Sequence, residues 1–345
     1  TGVATVTAGL SVGDYEVKFA YDGGARWEGL GVQRAVDNVN DVIAPVLKGI
    51  DATRQIEIDR LMLELDGTSD RSRLGGNAIA SVSAAVLKAA ANSLDIPLYE
   101  HIGGVNACVL PVPAAGLMNG ARRYGGGERA GDKPSYSMMC YGFDTFAEAS
   151  YAAWDLEKHF KRALGNRLGL DPEFVRFIPA GMIQHDRELW DIMTDVIASR
   201  GYEGKVGLQV DVAAGTYFDN EKGVFVGLFS AEDKTLEELI DLYKWMVKEY
   251  PFVILEDPLD EDDFEGHARL TRELPIEIVG DDLFTTNPVR VRKGIAMGAA
   301  NAVLLKVNQV GTITEAFEMT RLAHRHGYGV MPCGSRGEGA DIADY

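Results

Sequence analysis

Three acidic side chains and one lysine lie in four successive strand patterns in the second half of the chain. The patterns are VGLQVDV with Asp211, FVILED with Glu256, IEIVGDD with Asp281 and AVLLKVN with Lys306. Each is a short apolar run that is followed by a helical pattern, which is typical of a β-α unit in a parallel sheet. The four charged groups therefore stand at equivalent places in four consecutive units.

Brought together, these groups could remove a proton from a carbon acid. In a β/α barrel the strand ends on one face surround a single pocket, so we expect the three carboxylates and the lysine to converge there. Three hard oxygen ligands suit Mg²⁺. An ammonium group beside a dication is pushed towards its neutral form, so Lys306 can act as a base. The pattern predicts abstraction of a proton next to a carboxylate, with the resulting enolate held on the metal.

Other titratable residues fit this site less well. In the acidic run EDPLDEDD only Glu256 ends a strand, whereas residues 260–263 are expected to begin the next helix, where acids favour the positive end of its dipole. In GDD, Asp281 continues the strand and is the better ligand, and Asp282 is a candidate for a supporting contact. The six histidines fall mostly on helical patterns, where we expect them at the surface, and their spacing supports no Ser-His-Asp or Cys-His arrangement.

Composition restricts the classes of partner. A net charge of −18 argues against nucleic-acid binding through a basic surface, and an anionic substrate needs a local cation such as the predicted metal. The three cysteines form no C-x-x-C, so we expect a reducing cytoplasm. We expect no membrane partner, because no apolar run is long enough to span a bilayer. The start TGVATVTAGLSVGDYE has neither region of a signal peptide.

The elements that must position these residues change character along the chain. Residues 1–30 resemble strands and loops, and helical periodicity follows at 32–48, 53–66 and 76–94. The last of these helices is apolar nearly all round, so we expect it to be packed inside. From residue 136 the pattern becomes a series of strand and helix repeats. The predicted repeats are strand 136–142, helix 145–164, strand 174–180, helix 186–200, the four units above and a last strand at 327–333.

A glycine-rich loop precedes the first of these strands. The segment NGARRYGGGERAGDK carries the cations Arg122, Arg123, Arg129 and Lys133. It could be a mobile lid over an anionic substrate, or a solvated flexible loop without a role in binding. It matches no phosphate-loop pattern.

Several stretches closely resemble enolase, the glycolytic magnesium lyase. The similarity runs over nearly the whole chain, in SVGDYE, ELDGTSDRSRLGGNAIASVSAAVLKAAA, PLYEHIGG, LPVPAAGLMNG, VDVAAGTYF, EDPLDEDDF, VGDDLFTTNP and LLKVNQVGTITEA. The resemblance implies an α/β fold class, with an α+β capping domain at residues 1–108 and an enolase-type β/α barrel at residues 109–345. It also implies a Mg²⁺ cofactor and a homodimer or higher homo-oligomer.

The resemblance assigns roles to individual residues. It implies Asp211, Glu256 and Asp281 as the metal ligands and Lys306 as the base, in keeping with the lysine bases and Mg²⁺ ions of this superfamily. Ser11 matches the family serine that helps to close the site on a second metal. The family's leading hairpin and last barrel strand are not found in the sequence.

Other family positions are altered. The stretch DEGGF, whose glutamate is the family's general acid, corresponds to IPAGM, with Pro179 at that position. A second family glutamate is replaced within SYSMMCYG, near Tyr136 or Ser137. The His-Arg-Ser that grips the substrate's phosphate corresponds to Gly334, Ser335 and Arg336.

These departures favour altered chemistry on a related substrate. Dehydration needs an acid at the leaving group, and Pro179 cannot donate a proton. The primary hypothesis is therefore a lyase that abstracts the α-proton of a phosphorylated or phosphonylated three-carbon acid, as in a carboxyphosphonoenolpyruvate synthase-like role. The residues expected to bind this small anionic substrate are Ser11, Ser335, Arg336, Arg122 and Arg123. One alternative is phosphopyruvate hydratase, and another is a non-catalytic metal-binding homologue.

Overall fold

A computed structural model of the chain describes residues 1–6, 13–119, 123–128, 130–131, 133–172, 178–333 and 345. The chain divides into two compact units. The first unit comprises Thr1–Val109, Phe284–Ile295 and Ala302–Tyr345. The second unit comprises Leu110–Leu283 and Ala296–Asn301.

Helices occur in both units. In chain order they are α1 (Gln33–Asp37), α2 (Ala44–Leu47), α3 (Gln55–Asp66), α4 (Gly76–Leu94), α5 (Leu98–Gly103), α6 (Phe146–Leu168), α7 (Arg187–Ser199), α8 (Leu236–Glu249), α9 (Phe264–Glu273), α10 (Pro288–Met297), α11 (Val307–Val310) and α12 (Ile313–Arg325).

The strands are short. They are β1 (Ala114–Asn119), β2 (Ser135–Met139), β3 (Gly207–Asp211), β4 (Phe218–Asp219), β5 (Val224–Phe225), β6 (Phe252–Glu256), β7 (Glu277–Gly280), β8 (Ala302–Leu305) and β9 (Gly329–Pro332). Together with the helices they confirm the predicted α/β fold class.

The first unit is built around the Ala-rich helix α4. Small side chains let neighbouring segments approach α4 closely, and ten of its residues are buried. Ile43, Met62 and Ile79 form the centre of the hydrophobic cluster beside it. Gly75, just before α4, has a φ of 98°, and a Cβ there would lie 2.5 Å from the Ala20 Cβ. The prediction that this helix is packed inside is confirmed.

The second unit contains the sheet that positions the acidic residues. Its strands follow the order β1, β2, β3, β6, β7. β3 pairs with β6 and β6 with β7 in parallel, as expected for β-α units. All five residues of β3 are buried, because helices and loops cover both faces of a parallel sheet. In the first unit β8 and β9 also pair in parallel.

The strand predicted at 136–142 is present as β2, and it pairs antiparallel with both β1 and β3, unlike the parallel units that follow. Other local expectations were wrong. No strand forms in the described part of residues 1–30, where Arg26–Gly29 is a single 3-10 turn. The helix expected at 32–48 is interrupted by a π-helical stretch, Asn38–Ile43, between α1 and α2. Most of the strand predicted at 174–180 lies outside the described residues.

No single helix among the described residues is long and apolar enough to cross a membrane. Gly76–Leu94 and Leu98–Asn106 together are long and apolar enough, but a bend of 96° separates them. Most of α4 is taken up by the core of the first unit.

Candidate active site

Three carboxylates converge at the carboxyl ends of the parallel strands of the second unit. Asp211 ends β3 and lies in register with Glu256, which ends β6. Asp281 directly follows β7, the next strand in the sheet. One oxygen from each carboxylate lies within 4.8 Å of the others, and all three residues are buried. The structure thus brings together the three residues that the sequence predicts as metal ligands.

The neighbouring backbone and an amide fix the orientation of Glu256. The Gln209 side-chain Nε2 donates to Glu256 Oε2 at 3.0 Å. The Val212 N–H donates to the Glu256 carbonyl at 3.0 Å, which keeps the ends of β3 and β6 aligned. Gln209 is itself buried. Sequence reasoning missed Gln209, although its place two residues before Asp211 puts it on the same face of β3.

A fourth acid, Asp257, shapes the turn that carries Asp281. Its carboxylate accepts the N–H groups of Asp281, Asp282 and Leu283 at 3.1, 2.7 and 3.3 Å. Asp257 has a φ of 42°, which is uncommon for a residue with a side chain. Burial, with the charges of Asp282, Asp281 and Glu256, raises the pKa of its carboxyl well above the usual value. Asp257 therefore fixes the backbone of the predicted ligand Asp281.

The donor set fits a hard divalent cation. Three buried carboxylates at close range repel one another, and a cation among them would remove that repulsion. A second group, formed by Asp257, Asp281 and Asp282, is equally close, but Asp257 already accepts three backbone N–H groups. The carboxylates of Asp211, Glu256 and Asp281 are thus the better candidates to hold Mg²⁺.

Lys133 also reaches this cluster. Its Nζ forms an ion pair with Asp211 Oδ2, and both side chains are largely buried. The antiparallel register of β2 and β3 explains the contact, because Ser135 lies opposite Asp211 and Lys133 is two residues upstream. The sequence marked Lys133 as one cation of a glycine-rich loop and gave no signal for its contact with Asp211.

Lys306 belongs to the first unit. It follows β8, is buried, and donates its backbone N–H to Thr286 Oγ1 at 3.0 Å. The same Thr286 hydroxyl donates to Gln309 Oε1 at 2.9 Å, and the Gln309 carbonyl accepts the Val17 N–H at 3.0 Å. The backbone at Lys306 is thereby fixed to the segment that follows Ser11. Its action as a base stays a prediction.

Arg123, predicted to bind substrate, lies in a buried ion pair. Its Nη2 donates to Asp186 Oδ2 at 2.7 Å, and the Tyr124 and Tyr136 hydroxyls donate to the same carboxylate at 2.8 and 2.6 Å. Burial opposes the charge of the guanidinium, but the charge of Asp186 raises the pKa of Arg123 further. Asp186 thus neutralises Arg123, whose Nη1 has no partner among the described residues. A contact with substrate stays a prediction.

Pro179 and Tyr136, one of the two candidates for the second altered glutamate, also have defined surroundings. Burial and Asp186 raise the pKa of Tyr136 well above its usual value. Its hydroxyl also accepts Trp190 Nε1–H at 3.1 Å, so it both donates and accepts a hydrogen bond within the protein. Pro179 is exposed, and its carbonyl accepts the Met182 N–H at 3.3 Å. The predicted substrate contacts Ser11, Arg122, Ser335 and Arg336 lie outside the described residues.

Known proteins resemble this chain over nearly its whole length. The family model described as "Enolase, C-terminal TIM barrel domain" matches residues 107–344. The model described as "Enolase, N-terminal domain" matches residues 1–102.

Individual relatives extend the comparison. The protein named Enolase from Methanopyrus kandleri is 45% identical over 363 residues, covering 99% of this chain and 81% of that protein. The proteins of the same name from Thermococcus kodakarensis and Methanocaldococcus jannaschii are 44% and 43% identical, each covering 99% of this chain and 80% of their own length.

These matches confirm the resemblance that the motifs indicated, and with it the prediction of an enzyme of the lyase class. The matched ranges include β3, β6 and β7, whose ends carry the carboxylate cluster. The similarity extends well beyond the short motifs, because the alignment covers 99% of the chain. The chain therefore belongs to the enolase family.

Proposed function

We propose that this enzyme is a phosphopyruvate hydratase, which converts 2-phosphoglycerate into phosphoenolpyruvate and water. The observation that carries the proposal is the identity of 43–45% with proteins named Enolase over 99% of the chain. The carboxylate cluster supports it, because the reaction needs a cation beside the substrate carboxylate. The expected substrate is thus a small anion.

The residues of the cluster have a direct role in this proposal. Asp211, Glu256 and Asp281 would hold Mg²⁺, whose charge would acidify the proton next to a bound carboxylate. Gln209 keeps Glu256 in its orientation, and Asp257 keeps the backbone of Asp281 in place.

Lys306 is the proposed base. Its ammonium group must lose a proton before it can accept one from the α-carbon, and the charge of a nearby dication would favour the neutral amine. The backbone hydrogen bond to Thr286 holds Lys306 at the end of β8. A base on a strand end is held more firmly than one on a loop, which favours a fixed approach to the substrate.

The departing hydroxide needs a proton donor other than Pro179 and Tyr136. Pro179 has no group that can donate. The Tyr136 phenol is bound to Asp186, and its raised pKa makes proton release unfavourable. Pro179 and the altered phosphate-binding residues are the basis of the altered-chemistry hypothesis, in which proton abstraction persists and a different group leaves. The comparisons give no support to its carboxyphosphonoenolpyruvate synthase-like form and favour the hydratase instead.

The purified chain tests the proposal directly. With 2-phosphoglycerate and Mg²⁺, we expect phosphoenolpyruvate to form, as measured by its ultraviolet absorbance, and formation to stop when a chelator removes the metal. In heavy water, NMR will report exchange of the α-proton separately. Exchange without phosphoenolpyruvate would reject the hydratase and favour altered chemistry at the leaving group. Metal binding with neither exchange nor turnover would favour a different substrate or a binding role.

The remaining proposals rest on the resemblance and composition alone. We propose a homodimer or higher homo-oligomer in a reducing cytoplasm, with no nucleic-acid or membrane partner. Sedimentation of the purified chain will give the oligomeric state.

A further inference from the structure

Lys133 is held at the carboxylate cluster by its backbone as well as by its charge. Its N–H donates to the Ala130 carbonyl at 3.0 Å, and its own carbonyl accepts the Tyr217 hydroxyl at 2.6 Å. The side chain then extends to Asp211, with 15% of the lysine side chain and 10% of the aspartate side chain exposed. The contact is therefore the end of a fixed segment.

The glycine-rich loop before Lys133 is packed against the segment that follows β3. A Cβ on Gly126 would overlap the Val226 carbonyl, and a Cβ on Gly127 would lie 2.5 Å from the Tyr217 ring. Gly127 also has a φ of 72°, which favours glycine. These close approaches hold the described part of the loop against the segment that follows β3.

The Lys133–Asp211 pair differs from the surface ion pairs of the same unit. Lys222, which pairs with Asp219 at 3.2 Å, has 62% of its side chain exposed. Water screens such a pair, so its contribution is small. Lys133 and Asp211 are shielded from water, and Asp211 also faces the negative charges of Glu256 and Asp281. The ammonium of Lys133 therefore interacts strongly with the whole cluster.

We propose that Lys133 is an internal cation that competes with the divalent metal for the carboxylate cluster and so sets its metal affinity. The proposal rests on the metal site of the proposed function. A metal that binds Asp211 must take that carboxylate from the ammonium, and the positive charge of Lys133 nearby opposes the entering dication. Lys133 thereby lowers the affinity for Mg²⁺, while it limits the repulsion among the carboxylates before metal enters.

Direct titration of the metal tests this inference without any substrate. Calorimetry will compare Mg²⁺ and Mn²⁺ binding to the wild-type chain and to Lys133→Met, which keeps the length of the side chain and removes its charge. We expect Lys133→Met to bind the metal roughly 5- to 150-fold more tightly, the usual range for energetic coupling between two sites. Lys133→Arg keeps the charge and should stay within about threefold of wild type, a smaller effect than that coupling range.

Lys222→Met is the matched control, because it removes the same charge from the same unit at an exposed position. Its metal affinity should equal that of wild type. Thermal unfolding with and without Mg²⁺ gives a second readout, because a tighter ligand raises the unfolding temperature more. If Lys133→Met fails to fold, Lys133→Gln serves the same purpose.

Equal or weaker metal binding by both neutral variants would overturn the role of Lys133. Activity of the wild-type enzyme would then still support the hydratase. A wild-type chain that binds no divalent cation would overturn this inference and the proposed metal chemistry together.

Discussion

At the scale of single residues, burial and position distinguish the three cluster carboxylates from other acids on this chain. Many acids are exposed on helices, such as Glu265 on α9. Asp211, Glu256 and Asp281 are buried at strand ends, where their negative charges are shielded little from one another. A bound cation would relieve the repulsion among these three buried carboxylates, so they should contribute most of the metal affinity.

The change Glu256→Gln removes one of these charges and keeps the size of the side chain. We expect Mg²⁺ affinity to fall by at least about 100-fold, more than the tenfold to 100-fold typical of residues that only support a ligand. Calorimetric titration of the metal will measure it. Glu265→Gln, on the exposed face of α9, should leave the affinity unchanged, and unchanged affinity in Glu256→Gln would remove Glu256 from the metal site.

Lys306→Met tests the proposed base. The variant lacks an amine that can accept the α-proton, so we expect exchange of that proton in 2-phosphoglycerate to fall by at least about 100-fold, within the range for a lost general base. Mg²⁺ binding should persist, because Lys306 is not a proposed ligand. NMR in heavy water will measure exchange, with Lys293→Ala on the exposed side of α10 as the control. Exchange at the wild-type rate in Lys306→Met would exclude Lys306 as the base.

At the scale of elements, α9 buries a histidine that sequence reasoning placed at the surface. His267 is fully buried, and its Nδ1 lies 2.8 Å from the Asp263 carbonyl, one turn earlier in the helix. Burial lowers the pKa of His267, although the nearby acids Asp263 and Asp260 oppose this change. Apolar surroundings thus keep the imidazole neutral in the folded chain.

The buried His267 makes stability depend on pH. In the unfolded chain a histidine takes up a proton near pH 6.5, whereas folded His267 does so only at lower pH. The unfolded chain therefore binds more protons below about pH 6.5, and the free energy of unfolding should fall there by up to about 1.4 kcal/mol per pH unit.

Urea unfolding from about pH 8 to about pH 5 will compare wild type with His267→Gln. The variant should show a flatter decline below about pH 6.5, while half-buried His185, whose pKa burial also lowers, continues to contribute. His326→Gln, at an exposed position, should retain the wild-type slope. The same slope in His267→Gln would show that His267 does not cause the effect.

At the scale of the whole molecule, residues far apart in the chain join to form the first unit. Asp59 on α3 accepts the Ser83 hydroxyl at 2.6 Å and the Thr314 N–H at 3.0 Å. Arg71 pairs with Glu315 at 2.7 Å, and the Ile313 N–H donates to Ser83 Oγ at 3.0 Å. The start of α12 is therefore fixed to α3 and α4 by buried polar contacts.

Asp59→Ala should destabilise this unit more than an exposed acid-to-alanine change. Asp59 is 1% exposed, and its removal leaves several buried donors without an acceptor. We expect a loss of about 3 kcal/mol in the free energy of unfolding, since each buried unsatisfied donor costs about 1–3 kcal/mol. Asp51→Ala, at an exposed position, should cost much less. A small loss in Asp59→Ala would show that water replaces the carboxylate.

The sequence by itself determined the features that depend on local pattern. Apolar runs predicted β3, β6, β7 and β8, because a buried strand of a parallel sheet needs apolar side chains on both faces. The charged residue that ends such a run must lie at the carboxyl end of its strand. Because these ends are neighbours in a parallel sheet, the grouping of Asp211, Glu256 and Asp281 could be inferred. The uninterrupted apolar surface of 76–94 likewise required burial of that helix.

Only the tertiary structure decided which distant residues meet these elements. Lys133 reaches Asp211 because β2 pairs antiparallel with β3, and a register between segments about 75 residues apart leaves no periodic trace in either. Asp186 accepts hydrogen bonds from Arg123 and Tyr136, which are likewise distant from it in the chain. Asp257 is one of several acids in EDPLDEDD, and only the folded chain makes it the acceptor of three backbone N–H groups. Local periodicity specifies which side of an element is buried, whereas its partner is selected by the packing of the complete chain.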